Sequence, residues 1–384
     1  MLVKRIENFA DLSPYQQRWD ELAATCVFHS WAWLTTWWEH YGDKHELYVL
    51  LIFDNENVSA PCQITHNCEE ATGDTGRLVG ILPCYIENSV ARGRVVRLLG
   101  DGEVCTDYLD LITASNNEHQ VAKAVAEYLA SNAMEWDATS FTAVGTDCAG
   151  LMALGEELTA LDCRVRLTPN VGRWSLQLPA DWDGLLAMQS KSHRKKLRRL
   201  ERDVLATEQT NWHLVESGSD FEVAWPILVD LHQRRRISLG EKGCFASPRW
   251  ASFHRDIARQ LLDLGHLRLS WLELAGQPIA AEYQFANEHS TWAYQGGIEP
   301  DRTDEQPGRL SLARSIQYAI SSGHQTFDLM RGDEPYKAQW RATAQQTVDM
   351  CVVAPRPAAR WRANAFNYMQ TAVRAARHVT SLLS

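Results

Sequence analysis

The stretch FDLMRGDEPYKAQW, residues 327–340, decides how this chain is read. An apolar strand, Phe327 to Met330, runs without a spacer into Arg331, Asp333, Glu334 and Lys337, and Phe327, Tyr336 and Trp340 bracket the charges. Solubility requires no such order. The pattern reads as a strand that ends in a tight turn at Gly332 and sets charged and aromatic groups on the rim of a site. An internal salt bridge of Lys337 or Arg331 with Asp333 or Glu334, worth little if exposed, is the plainer alternative.

Upstream lie three strand-like runs, HLRLSWLELAG (266–276), PIAAEYQFAN (278–287) and STWAYQGGI (290–298), joined by hairpin-sized links. EPDRTDEQPGRL then feeds the helix SLARSIQYAISSG, and TFDLM follows. Further back, a helix is expected over about 183–206, with Leu186, His193, Leu197, Leu200 and Val204 on one face. NWHLVES reads as a short strand. FEVAWPILVDLHQRRRIS reads as a helix that Pro226 interrupts or kinks, and PRWASFHRDIARQLLDLG as one with Pro248 at its start.

The N-terminal half opens with a strand and a helix, then the amphipathic HSWAWLTTWWEHYG (29–42). Strands are expected over 46–54, 77–87, 106–113 and 138–146, with a helix in EHQVAKAVAEYLASN and a polar excursion over 55–76. Hairpin strands, a helix and a short strand occur in this order in both halves, although residue identity between them is negligible. The expected class is therefore α/β (α+β): two topologically repeated domains, each a mixed, mostly antiparallel sheet flanked by helices. The boundaries are set at 1–168, 169–355 and a basic amphipathic C-terminal helix, 356–384.

At 384 residues the chain exceeds one hydrophobic core. Residues 1–170 hold 11 Lys and Arg against 25 Asp and Glu, a net of -14, whereas 171–384 hold 27 against 23, a net of +4. That change of sign suits an acidic domain followed by one that handles anionic groups. The nine cysteines contain no C-x-x-C pair, which argues for reduced thiols in a cytoplasm and against a zinc site. No run approaches the ~20 apolar residues of a membrane span, and the N-terminus lacks a signal-peptide stretch.

Four stretches resemble the GNAT acyltransferase superfamily, and within it the double-GNAT group of CelD-like proteins and Fem-type aminoacyl transferases. They are FHSWAWLTTWWEHYG, SKSHRKKLRRLERDV, GQPIAAEYQFANEHSTWAYQGGIEP with the following QPGRLSLARSI, and FDLMRGDEPYKAQW. In the last, Gly332, Asp333, Tyr336, Lys337 and Trp340 stand as in the group's G-D/E-x-x-Y-K-x-x-W ending. The resemblance implies transfer of an acyl, typically acetyl, group from a coenzyme A ester to an amine or hydroxyl. Two central strands would splay around the pantetheine, and the pyrophosphate would sit on the loop before the following helix. That loop is Gln306, Pro307, Gly308 and Arg309, with Leu310 where the superfamily commonly has a second glycine or alanine. The Fem-type relatives imply aminoacyl-tRNA as an alternative donor. Family association also implies a sugar, lipid-linked or other cell-envelope acceptor, as in polysaccharide biosynthesis; a non-catalytic GNAT-like module is the rival of another class.

Thioester aminolysis needs a base, stabilisation of the carbonyl oxygen and an acid for the thiolate. Glu282, mid-strand in AAEYQF, reads as a base whose pKa burial would raise, or as a residue on an open strand face. Asp328 reads as a site group or a strand-end hydrogen bonder, and Tyr294 and Tyr336 as proton donors or packing. Lys337, Arg331 and Asp333 belong to the rim. KSHRKKLRRLER (191–202) carries seven Lys and Arg; Arg194 and Lys195 are candidate ligands for a phosphorylated partner, and a solvated basic face is the other reading. Residues 358–384 read as a helix docked on the protein or lying on an anionic membrane surface, which places the protein in the cytoplasm, at times on the inner face of the membrane. No metal-ligand spacing occurs.

Overall fold

The computed structural model describes residues 1–54 and 76–383, and the polar excursion that begins at Asn55 lies outside them. The chain divides into two compact units: Met1–Ala24 with Phe28–Asn170 and Thr347–Ser384, and Thr25–Val27 with Val171–Gln346.

In the first unit, β1 (Leu2–Ile6), β2 (Glu46–Asp54), β3 (Arg77–Ser89) and β4 (Gly93–Leu98) pair antiparallel in that order. β2 reads as an unbroken apolar run because residues 47–53 are buried on both of its faces. β5 (Ile112–Thr113) pairs with β3, and β6 (Ala138–Thr139) runs parallel to β4, followed by β7 (Phe141–Gly145). The helices are α1 (Gln16–Ala23), α2 (Trp31–Tyr41), α3 (Glu118–Ser131) and α4 (Ala149–Ala160). Ser30 starts α2 by accepting the Trp33 N–H at 3.2 Å.

The strand expected over 106–113 shrinks to β5. Tyr108 is left-handed at φ 65°, and its carbonyl lies 2.6 Å from the His29 ring nitrogen instead of joining a neighbouring strand.

The second unit starts within β8 (Arg164–Gln177). Its further strands are β9 (Thr210–Leu214), β10 (Leu267–Leu274), β11 (Gln277–Ala286), β12 (Ser290–Ile298) and β13 (Thr326–Arg331). They lie in the order β8-β13-β12-β11-β10-β9, and only the β12–β13 pair among them is parallel. Ala275 and Gly276, at φ 54° and 73°, make the two-residue hairpin turn between β10 and β11.

The helices are α5 (Trp182–Met188), α6 (Lys191–Leu200), α7 (Gly218–Ser238), α8 (Pro248–Asp263), α9 (Pro307–Ser321) and the short α10 (Pro335–Gln339). The single helix expected over 183–206 is two. Gln189 breaks it by donating its buried side-chain amide to the carbonyls of Leu185 and Trp340, and Ser190 caps α6 at His193 N. The apolar face is as expected: Leu186, His193, Leu197 and Leu200 are buried. Pro226 does not end α7, which runs through it from a Ser217–Asp220 capping box. β14 (Thr343–Val353) and α11 (Pro357–Leu383) close the chain. β4, α4, β8, α10 and β14 are additional to the elements read from the sequence.

Leu176, Leu186, Leu197, Leu312, Ile316, Phe327 and Trp340 share one core of the second unit. On β12, a side chain at Gly297 would collide with the α7 backbone at Leu231 and His232. Gly297→Ala is expected to lower stability by about 2 kcal/mol or more, since backbone on both sides leaves no soft partner to yield. Urea unfolding checks this; an unchanged midpoint would mean the helix and strand separate freely.

Candidate active site

β12 and β13 are hydrogen-bonded only from Ser290 to Trp292 against Thr326 to Asp328. Beyond that point β12 follows β11 as far as Ile298, and β13 follows β8 to the Arg331–Arg173 pair. The two strands therefore part. At the parting Met330 is left-handed, at φ 60°, and the buried Asp328 carboxylate accepts the Met330 N–H at 2.7 Å.

The turn after β13 is built around Lys337. Lys337 is 1% exposed, and Nζ donates to the carbonyls of Met330, Arg331 and Gly332 at 3.2, 2.9 and 3.1 Å. Glu334 Oε2 is its ion partner at 2.9 Å. Gly332 has φ 126°, and a Cβ there would meet the Glu334 carboxylate. Trp340, buried beneath, packs edge-on against His193 with ring centres 5.1 Å apart, which joins the turn to α6. Arg331 lends its carbonyl to this clamp, and Asp333 is exposed and accepts Trp174 Nε1 at 3.4 Å.

Glu282 lies on β11 directly opposite Gly296 of β12. Burial pushes its carboxyl up to about 7, against opposing pulls from Ser311 on α9 and Gln284, two residues along the same strand face. Neither Ser311 Oγ nor Gln284 Nε2 completes a hydrogen bond of full geometry, although both are buried. A Cβ on Gly296 would sit 3.1 Å from Glu282 Oε2, so glycine there makes room for the carboxyl. The Gly296 carbonyl lies 3.0 Å from His232 Nδ1, and His232 Nε2 lies 3.2 Å from Cys244 Sγ. α7 thus holds the strand that backs Glu282. Tyr336 is 41% exposed as a residue, but desolvation of its hydroxyl, followed by the charges of Glu334 and Glu282, pushes its pKa up, so it keeps its proton. Tyr294 belongs elsewhere. A bulge between Tyr283 and Gln284 lets it reach His254 Nε2 at 3.1 Å, in a ring cluster with Tyr283 and Phe285.

At the start of α9, Gln306 is left-handed and its carbonyl takes the N–H groups of Arg309 and Leu310. The Leu310 side chain is core, packed with Leu200, Leu272 and Ile279, so it offers an anion neither side chain nor amide. Gly308 has open space: a Cβ would touch only Ile298, at 3.5 Å. Arg309 donates to the side chains of Gln306 and Gln339. Desolvation pulls Arg309 down, while desolvation and then Arg309 pull down His193 and Lys196, with Arg199 acting on Lys196 and Arg341 on His193. None of Arg309, Lys196, Arg199 and Arg341 forms an ion pair among the described residues. Arg194 is half-buried and Lys195 exposed on α6. Lys196, Arg199 and Arg341 were missed as candidates, although Lys196 and Arg199 lie in the basic run already singled out. Ser311, Gln284 and His232 had no individual signal.

Replacing Lys337 by Met leaves three turn carbonyls and Glu334 without their donor. Lys337→Met is expected to cost about 3–5 kcal/mol of stability, measured by urea unfolding. A loss below about 1 kcal/mol would show that the turn does not depend on the clamp.

Residues 191–338 match the acetyltransferase (GNAT) domain family. No curated protein matches the chain in sequence. Among solved structures, FemX superposes with a TM-score of 0.61 at 11% identity, covering 94% of this chain and 99% of FemX. A conserved protein of unknown function from Bacteroides thetaiotaomicron gives 0.53 at 9% identity, covering 92% of this chain and 100% of its own. The C-terminal domain of a putative lysylphosphatidylglycerol synthetase from Agrobacterium fabrum gives 0.51 at 12%, covering 94% and 96%. At such identities the likeness is one of fold. Residues 191–338 thus match the acetyltransferase (GNAT) domain family, in a chain that shares its fold with FemX and the two other structures.

Proposed function

We propose that the chain is an acyltransferase whose second unit moves an acyl group, acetyl as the first candidate, from a coenzyme A ester to an amine or hydroxyl. The observation that carries this reading is the placement of Glu282, titrating near 7, against α9, the same helix whose N-terminus gathers cations without a carboxylate among them. Arg309 and Lys196, with the helix dipole, would hold the donor's phosphates. Gly308 fits this role because nothing in the fold itself requires glycine there. Above pH 7 the Glu282 carboxylate takes the proton from the attacking amine or hydroxyl as the new bond to the carbonyl carbon forms. The carbon–sulfur bond then breaks, and the departing thiolate takes a proton through Tyr336, whose hydroxyl is restored by the proton that Glu282 gained. The bound thioester supplies the activated carbonyl. Lys337 positions the turn that carries Tyr336. A sugar or lipid-linked envelope precursor is the proposed acceptor class.

A second reading takes the acyl group from aminoacyl-tRNA. It is favoured by the exposed Lys191, Lys195, Arg198 and Arg199 on α6, a basic face wider than a dinucleotide needs.

Calorimetry with acetyl-CoA separates the two. Micromolar binding that Gly308→Glu abolishes supports the coenzyme reading; no binding by the folded protein, with retention of charged tRNA on a filter, supports the second. Gly308→Ala is expected to leave stability unchanged or raise it by up to about 1 kcal/mol while weakening acetyl-CoA. Glu282→Gln is expected to lower kcat/KM by about 10²–10⁴-fold and to remove the acidic limb near pH 7. Its stability has a defined sign. The folded carboxyl holds its proton up to about 7 while the unfolded one ionises near 4.5, so the wild type loses stability as pH rises through this window. Glu282→Gln should escape that loss, gaining roughly 1–3 kcal/mol relative to wild type by pH 8. Parallel melting curves at pH 4.5 and 8 measure it.

A further inference from the structure

Among the cations at the head of α9 sits a histidine that the proposed reaction does not use. His193 lies on the inner face of α6, one turn before Lys196, and is 8% exposed. Its ring packs edge-on against Trp340, and Arg341 follows Trp340 directly. Gln339, on the other side of Trp340, accepts from an Arg309 Nη at 3.1 Å. Arg309 of α9, Lys196 of α6 and Arg341 beyond α10 are the charges that act on the ring, and Arg199 acts in turn on Lys196.

The protonation of the ring follows from its partners. The Gln189 side-chain nitrogen donates to the carbonyls of Leu185 and Trp340, both at 3.3 Å, so the Gln189 oxygen is the end that faces His193. An amide oxygen only accepts, and this one lies 3.2 Å from His193 Nδ1, so Nδ1 carries a hydrogen. Nε2, the ring's other polar atom, is buried and completes no hydrogen bond. Desolvation first, then Arg309, Lys196 and Arg341, pull the ring below its usual 6.5, while the Gln339 backbone carbonyl pulls the other way. The ring is therefore neutral at pH 7, with its lone pair on Nε2. With Nδ1 engaged by Gln189, the Gln339 carbonyl is left to Nε2, and a lone pair cannot bond a carbonyl oxygen.

We infer that His193 is a proton-linked residue of this cluster, taking a proton on Nε2 when an oxyanion settles on Arg309, Lys196 and Arg341. The anion cancels the repulsion that keeps the ring neutral. The new N–H donates to the Gln339 carbonyl, and the imidazolium adds a further positive charge behind the anion. Proton and anion bind together, each tightening the other by the same factor. The ligand class is a fully ionised oxyanion, such as the dianion of a phosphate monoester, because the charge of the site rises to meet it. The inference rests on reading the cluster as an anion site and not on the chemistry of transfer.

Sulfate is the probe, because it carries no proton of its own near neutral pH. Titration calorimetry of the full chain at constant ionic strength, in buffers of different ionisation heat, should show uptake of up to roughly one proton per sulfate. Affinity should fall by up to about tenfold per pH unit between the midpoints of the free and the anion-bound ring. In protein with labelled histidines, the His193 resonance should titrate at higher pH once sulfate is added. His193→Asn, which keeps an amide donor for Gln189, should bind sulfate with uptake near zero and an affinity that is flat with pH. Sulfate binding by the wild type without proton uptake overturns the inference, whether or not the variant folds. So does the absence of sulfate binding, and so does an uptake that His193→Asn retains, which would assign the proton to Lys196. Acetyl-CoA binding without any sulfate-linked uptake would sink this inference and leave the coenzyme reading intact. Sulfate-linked uptake in a protein that ignores acetyl-CoA would do the reverse.

Discussion

The ammonium of Lys337 under three consecutive carbonyls is the constraint on which the second unit turns. β13 cannot continue past Arg331, because the carbonyls of Met330, Arg331 and Gly332 all point at one cation rather than at a neighbouring strand. A buried charge persists only where its donors are met, and here three carbonyls and Glu334 meet them. The chain pivots at this point, through left-handed Met330 and then Gly332, and β13 parts from β12 directly after their last parallel pair, Trp292 with Asp328. The gap between these strands follows from how one strand ends.

On the other side of the gap, two adjacent glycines let three layers come close. Gly297 admits the backbone of α7, and Gly296 admits the carboxyl of Glu282. His232 ties the layers together through the Gly296 carbonyl. Glu282 is therefore held between a strand that cannot shift outward and a helix, α9, whose Ser311 reaches toward it. Its elevated pKa is a consequence of this enclosure. Electrostatics at the head of α9 follow the same logic. Arg309, Lys196, Arg199 and Arg341 come from three separate parts of the chain, and none of them is offset by an ion pair among the described residues. Such a gathering of like charge is the arrangement an anionic group would complete.

Much of this was written in local pattern. The three hairpin strands, α8 with Pro248 at its head and the buried stripe of α6 follow from residue periodicity and turn chemistry, which act over a few neighbours. Glu282 and Lys337 were also visible as charges set against apolar runs. Local pattern misled where side chains from afar took over the backbone. His29 holds the Tyr108 carbonyl and removes a strand, while the Gln189 bond to Trp340 splits a helix. Tyr294 and Leu310 sat beside plausible site residues in sequence yet were carried away from them, one by a bulge and one by its side chain's burial.

By itself the sequence determined most of the elements, their order and the resemblance of the 327–340 ending, because helices, hairpins and turns are decided largely by contacts within a few residues. The tertiary structure alone decided that Lys337 serves the turn from a buried position, that Glu282 titrates near 7 and that Lys196 and Arg341 join Arg309. Each of those properties depends on solvent exclusion and on charges brought together from distant parts of the chain. Burial and convergence are properties of the folded volume, and no stretch of the chain carries them alone.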